Sequence, residues 1–119
     1  MYADTHPAID DVIDCRPAFP ILNEDPGIFR DARGNFHILT HYFGRDGPGG
    51  HAFSRDGIWW TFAGQAYDFT QAFTDGTHAR SARRERPQML VLDGKPSYLY
   101  TGIQPEQGLS HISVQPVAT

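Results

Sequence analysis

From residue 23 onward, short apolar or alternating runs are separated by polar turns rich in Gly, Asp and Pro. Successive side chains of a strand face opposite ways, and the runs fit that period. Residues 27–29 begin a strand. Residues 31–34, Asp-Ala-Arg-Gly, form a turn in which Gly34 supplies the positive φ. Residues 35–43 form the next strand. On it, His37, Leu39, His41 and Phe43 share one face, and Phe36, Ile38, Thr40 and Tyr42 the other. A third short strand covers 51–54, a turn follows at 55–57, and 58–62 is the fourth strand. The adjacent Trp59 and Trp60 then face opposite ways, one into the core and one free to serve as a sugar-stacking platform or to pack on a partner sheet. Tyr67, Phe69 and Phe73 lead to a turn at Asp75-Gly76. A second hairpin, 90–92 and 98–103, folds around Asp93-Gly94, and 111–117 is a last strand. No segment carries a convincing amphipathic helix. Strand–turn–strand throughout predicts an all-β chain of antiparallel sheets.

One unit occurs twice. NEDPGIFRDARG at residues 23–34 is echoed by RERPQMLVLDG at 84–94. Glu24 matches Glu85, Pro26 matches Pro87, Ile28-Phe29 matches Met89-Leu90, and Gly34 matches Gly94 with one residue deleted. Each copy continues into an alternating or apolar run. A period of about 61 residues signals stacked or radially repeated units. It divides the chain into a first blade at 23–76 and a second at 77–119. Residues 1–22, with Pro7, Pro17 and Pro20, read as an extended arm or edge strand.

Composition narrows the classes. The chain has 119 residues, enough for one domain with a modest core. Aromatic content of 13%, 12 Gly and 9 Pro suit a turn-rich β protein. A net charge of −4 offers no general attraction to nucleic acid or to anionic membranes. A lone cysteine, Cys15, excludes an internal disulfide framework and a multi-Cys metal site. No apolar run approaches a membrane span, and no basic-plus-apolar leader is seen. The expected location is the cytoplasm, or outside the cell if the chain belongs to a longer precursor.

Several features invite chemistry and are weak. His37 and His41 would lie side by side on a helix but about 13 Å apart on a strand, too far for one ion. GRDGPGG at 44–50 lacks the Lys and Ser/Thr of a phosphate loop. HARSARRER at 78–86 reads as a solvated loop whose arginines pair with acids, or hold carboxylates in place beside Glu85. No metal and no cofactor is called for.

NEDPGIFRDARGNFHILTHY, GGHAFSRDGIWW, FTDG and RRERPQMLVLDGKPSYLYTGI resemble successive strands of the five-bladed β-propeller glycoside hydrolases, family 43 in type. The resemblance spans about residues 22–117. It implies antiparallel four-stranded blades, about two of the five, completed by a homo-oligomer, because two open blades leave apolar faces and edges uncovered. It also implies a carbohydrate ligand and the two-carboxyl chemistry of glycosidases. Asp25 would orient or tune the acid, and Glu85 would be the general acid. Glu24, His51, Trp59, Trp60 and Arg86 would contact substrate. Arg86 departs from the family's small residue. The catalytic base comes from an early blade that this chain lacks, so the expected function is a sugar-binding protein or a truncated glycosidase.

Other readings stay open. Glu24 and Glu85 can be structural, each paired with Arg83, Arg84 or Arg86. The chain can be a non-catalytic interaction protein that binds a partner through exposed sheet edges. A small α+β fold follows if 74–85 is helical.

Overall fold

The computed structural model describes residues 23–42 and 49–117. The extended arm expected over 1–22 and most of the glycine-rich loop lie outside them. The order is β1 (Glu24–Arg30), β2 (Phe36–His41), β3 (Gly49–Ser54), β4 (Thr61–Tyr67), β5 (Thr70–Ala72), β6 (His78–Leu92), β7 (Lys95–Pro105) and β8 (His111–Pro116). Every pairing is antiparallel between sequence neighbours, giving two four-stranded sheets, β1-β2-β3-β4 and β5-β6-β7-β8. These are blade-like meanders, as the sequence implies. No helix among the described residues is long and apolar enough to cross a membrane.

The repeat is a repeat of structure. In the first copy Glu24 pairs with His41 and Gly27 with Leu39. Asp25 and Pro26 thus stand opposite the single residue Thr40, a β-bulge. In the second copy Glu85 pairs with Gly102 and Gln88 with Tyr100, so Arg86 and Pro87 stand opposite Thr101. Proline cannot donate to a ladder, and a bulge is where a strand tolerates it. Asp25 and Arg86, just before the prolines, both take left-handed φ, 53° and 54°. Thr40 and Thr101 are both fully buried beneath the bulges.

The hairpin turns differ. In the first, Asp31 Oδ1 accepts from the backbone N–H groups of Arg33 and Asn35. In the second, Asp93 and Gly94 both have positive φ, as a tight two-residue turn requires. The shorter turn is offset by a register shift at Leu90/Val91 that leaves Ser97 of β7 without a partner residue on β6. Equivalent residues therefore stay about 61 apart on both strands of the hairpin.

The two copies lie side by side, with β1 against β6. A Cβ on Gly27 would collide with the carbonyl oxygen of Pro87. Ala32 N–H donates to Gly94 O at 3.0 Å, tying the turns together. Between the sheets, Leu39, Tyr67 and Leu99 are buried with Phe29, Met89 and Val117 against them. The other face of the first sheet buries Ile38 and Ala52 under Trp60 and Phe62.

Three sequence expectations are corrected. The fourth strand runs over Thr61–Tyr67, not 58–62, so Trp59 and Trp60 are not strand residues. The reason is local capping. Ser54 Oγ accepts from Asp56 and Gly57 N–H, and Asp56 Oδ1 accepts from Ile58 and Trp59 N–H, which holds the chain in a turn. Thr70–Ala72, expected in the first blade, pairs with β6 of the second sheet. The arginine-rich 78–86 is neither loop nor helix but the first part of β6.

Arg84 is why that run can be a strand. It is 2% exposed. Its guanidinium donates to Thr101 Oγ1, Gln115 Oε1 and Asp68 O, and lies 4.9 Å from the centre of the Tyr67 ring. Desolvation lowers its pKa and raises that of Tyr67. One buried cation thus pins the β4–β5 junction onto the second sheet, its donors shared among acceptors rather than left unmet.

Candidate functional site

The carboxylates expected to carry chemistry come together at the paired bulges. Glu24 and Glu85 each begin the repeated unit, and the bulges aim both at one place. The ring at the centre is His41, 4% exposed by its side chain. Its Nδ1 lies 3.2 Å from Glu24 Oε1, 3.6 Å from Glu85 Oε2 and 3.8 Å from Asp25 Oδ2. The second copy has Gly102 where the first has His41, so one imidazole stands beside the glutamates of both copies. Glu85 is 13% exposed, and its two oxygens accept from different guanidiniums, Oε2 from Arg83 at 2.9 Å and Oε1 from Arg86 at 3.0 Å. His41 also stacks on Tyr42, centroids 4.1 Å apart. A pocket of about 210 Å³ opens beside the ring, lined by His41, Tyr42, Phe69, Ala82 and Arg83.

Ligand atoms of Glu24, Asp25 and His41 all lie within 4.8 Å of one another, so these three could hold a divalent cation. Arg83 and Arg86 bring positive charge to the neighbouring Glu85.

His51 and the two tryptophans are elsewhere. His51 lines a cleft between the sheets with Phe29, His37, Leu39, Met89 and Leu99. Its Nε2 is 2.9 Å from His37 Nδ1, and His37 Nε2 is 2.8 Å from Asp31 Oδ2. Burial, and then the neighbouring His37, lower the pKa of His51. The hydrogen bond from His37 is the largest cause lowering that of Asp31. Trp59 is 81% exposed at the β3–β4 turn, beside Phe53, Arg55, Asp56 and Thr61 around a shallow depression. Trp60 packs on the outer core of the first sheet.

Of the residues singled out from the sequence, Glu24, Asp25, Glu85 and Arg86 meet in one site, and His51, Trp59 and Trp60 do not join it. From the sequence, His41 reads as half of a strand pair and Arg83 as part of a basic run. The signal for His41 was its position: it closes the bulge of the first copy where the second has only Gly102.

The sequence matches no protein-family model, and neither a curated protein nor a solved structure is detectably similar to it.

Proposed function

We propose that the chain is a carbohydrate-binding protein of the kind suggested by its resemblance to propeller glycoside hydrolases, with its sugar site at the junction of the two bulges. The observation that carries this reading is the convergence of Glu24, Asp25 and Glu85 on His41 beside a small polar pocket with Tyr42 and Phe69 in its wall. Carboxylates accept from adjacent sugar hydroxyls, guanidinium groups donate to ring and hydroxyl oxygens, and aromatic faces receive the C–H side of a pyranose.

Binding without cleavage is the form the geometry favours. Hydrolysis needs one carboxyl group that delivers a proton and a second that acts as base or nucleophile. Glu85, the expected acid, has both oxygens occupied by Arg83 and Arg86. A monosaccharide panel read by calorimetry, with aryl glycosides as a parallel hydrolysis assay, tests the reading. The expected result is binding of at least one sugar, weakened about tenfold by Asp25→Asn, an amount equal to one lost hydrogen bond to a charged group, and no aryl glycoside turnover. A panel with no binder, or binding that Asp25→Asn leaves unchanged, rejects it.

A second reading rests on a separate observation. Leu90, Tyr98, Val114 and Ile112 line the outward face of the second sheet and are exposed, Ile112 at 73%. β8 is also an edge strand. This favours a protein partner, a second copy of the chain among the candidates. Solution mass by light scattering, with Ile112→Lys as control, tests it. A monomer at all concentrations sets the homo-oligomer aside.

A further inference from the structure

The cleft between the sheets is a second, chemically different place. Its volume is about 430 Å³, within the range of small-molecule sites. Its walls are apolar: Phe29, Leu39 and Ala66 on one side, and Met89, Pro96, Leu99, Pro116 and Val117 on the other. The polar groups facing it are His37, His51 and Gln115. Gln115 Oε1 accepts from Arg84. Phe29 stacks on His37, centroids 4.7 Å apart and planes within 6°, and His51 lies nearly coplanar with His37, planes within 10° and centroids 5.2 Å apart, the two imidazoles meeting edge to edge through the 2.9 Å Nδ1···Nε2 contact.

The hydrogen-bond chain fixes the character of His51. Asp31 is a carboxylate whose Oδ1 already accepts two backbone N–H groups. His37 must therefore donate to Asp31 Oδ2 from Nε2. In the neutral pair, His37 Nδ1 is then an acceptor, and His51 donates to it from Nε2. That leaves the lone pair of His51 on Nδ1. Among the described residues Nδ1 takes no hydrogen bond, and no buried side-chain nitrogen there lacks a partner, so Nδ1 is open to the cleft's solvent. We propose that this cleft binds a small neutral phenol, whose hydroxyl donates to His51 Nδ1 while its ring packs against the apolar wall of the second sheet. A neutral donor fits better than an anion, because burial and His37 both oppose charge on His51.

One added proton reverses this polarity. If it resides on His51, Nδ1 carries a hydrogen. If it resides on His37, both nitrogens of His37 donate, His51 accepts at Nε2, and its own hydrogen again sits on Nδ1. Either way the outward nitrogen becomes a donor and the phenol loses its acceptor. The other groups facing the cleft, from β4 and from the second sheet, do not titrate. This site is independent of the sugar reading, which uses other residues and another ligand class.

The test compares p-cresol with toluene, its isostere without the hydroxyl, by calorimetry on the unmodified protein and on His51→Phe, which keeps a ring at that position. Expected is a preference for p-cresol of about tenfold near pH 8, shrinking as the pH falls toward the lowered pKa of His51, and absent in the variant. The imidazole nitrogens of the unmodified protein, read by NMR, supply a check that needs no variant. The hydrogen of His51 is expected on Nε2 near pH 8. Equal binding of the two probes, binding of neither, or a hydrogen on Nδ1 near pH 8 overturns the proposal.

Discussion

Asp25 and Arg86 hold the same left-handed backbone, φ 53° and 54°, at the same point of two bulges about 61 residues apart, one carrying an acid and the other a base. Each precedes the proline of its bulge, and each reaches the cluster around His41, Asp25 directly and Arg86 through Glu85. A non-glycine residue there costs about 1–2 kcal/mol. Strain kept twice, at the positions that carry the charges, is a reason to test function there.

Arg86→Gly tests that trade. Glycine takes positive φ freely, so the variant is expected to be more stable by about 1 kcal/mol, offset in part by the loss of an exposed ion pair. Sugar binding should weaken at the same time. Urea denaturation and calorimetry on one preparation check both. A variant that is less stable than the parent contradicts the strain.

Gly27→Ala tests the contact between the copies. The new methyl meets the Pro87 carbonyl oxygen, a backbone atom that cannot swing away. The expected cost is about 1–3 kcal/mol, read as a lower urea midpoint. A neutral result means that the two bulges do not touch.

Arg84→Ala removes a buried side chain and leaves Thr101, Gln115 and the Asp68 carbonyl without their donor. A loss of about 2–5 kcal/mol is expected. Arg84→Lys should recover little, because an ammonium cannot span three acceptors in a planar fork.

Acid should weaken the fold in two stages. The pKa of His51 lies below its ordinary 6.5 in the fold, by burial and then by His37. A base that is harder to protonate folded than unfolded supports the fold while neutral. That support is whole above about pH 6.5 and fades as the pH falls toward the lowered value. Asp31, Asp56 and Asp75 lie below their ordinary 3.8, through hydrogen bonds led by His37, Trp59 N–H and the Thr77 hydroxyl respectively. Their support is whole above about pH 3.8 and fades below it. Melting temperature against pH should show both steps, and His51→Phe should lack the first.

Much of this architecture was legible in the chain. Glu-x-Pro recurring before an apolar run marks the repeated unit and Asp-Gly the tight turn, whereas the bulge at each Glu-x-Pro emerges only from the pairing register. The convergence of Glu24, Asp25 and Glu85 follows from their equal places in the repeat. Other features depended on information that spacing does not hold. Residues 58–62 look like the best strand of all, yet Ser54 and Asp56 cap the preceding turn and delay the strand to Thr61. Arg84 sits among exposed arginines, and register shifts at Ser81/Arg83 and Glu85/Gln88 place the buried positions of β6 at Ser81, Arg84 and Pro87, a spacing that plain strand alternation does not give. The Asp31–His37–His51 chain depends on the β2–β3 register, which places His51 opposite Leu39 and diagonal to His37.

The most direct test of the bulge junction as a sugar site is a backbone amide NMR titration with whichever monosaccharide binds best. Shifts centred on Glu24, Asp25, His41, Tyr42 and Glu85 are expected. Shifts centred on Trp59 and Asp56, with the bulges silent, would move the site to the exposed turn and contradict the function proposed for the paired bulges.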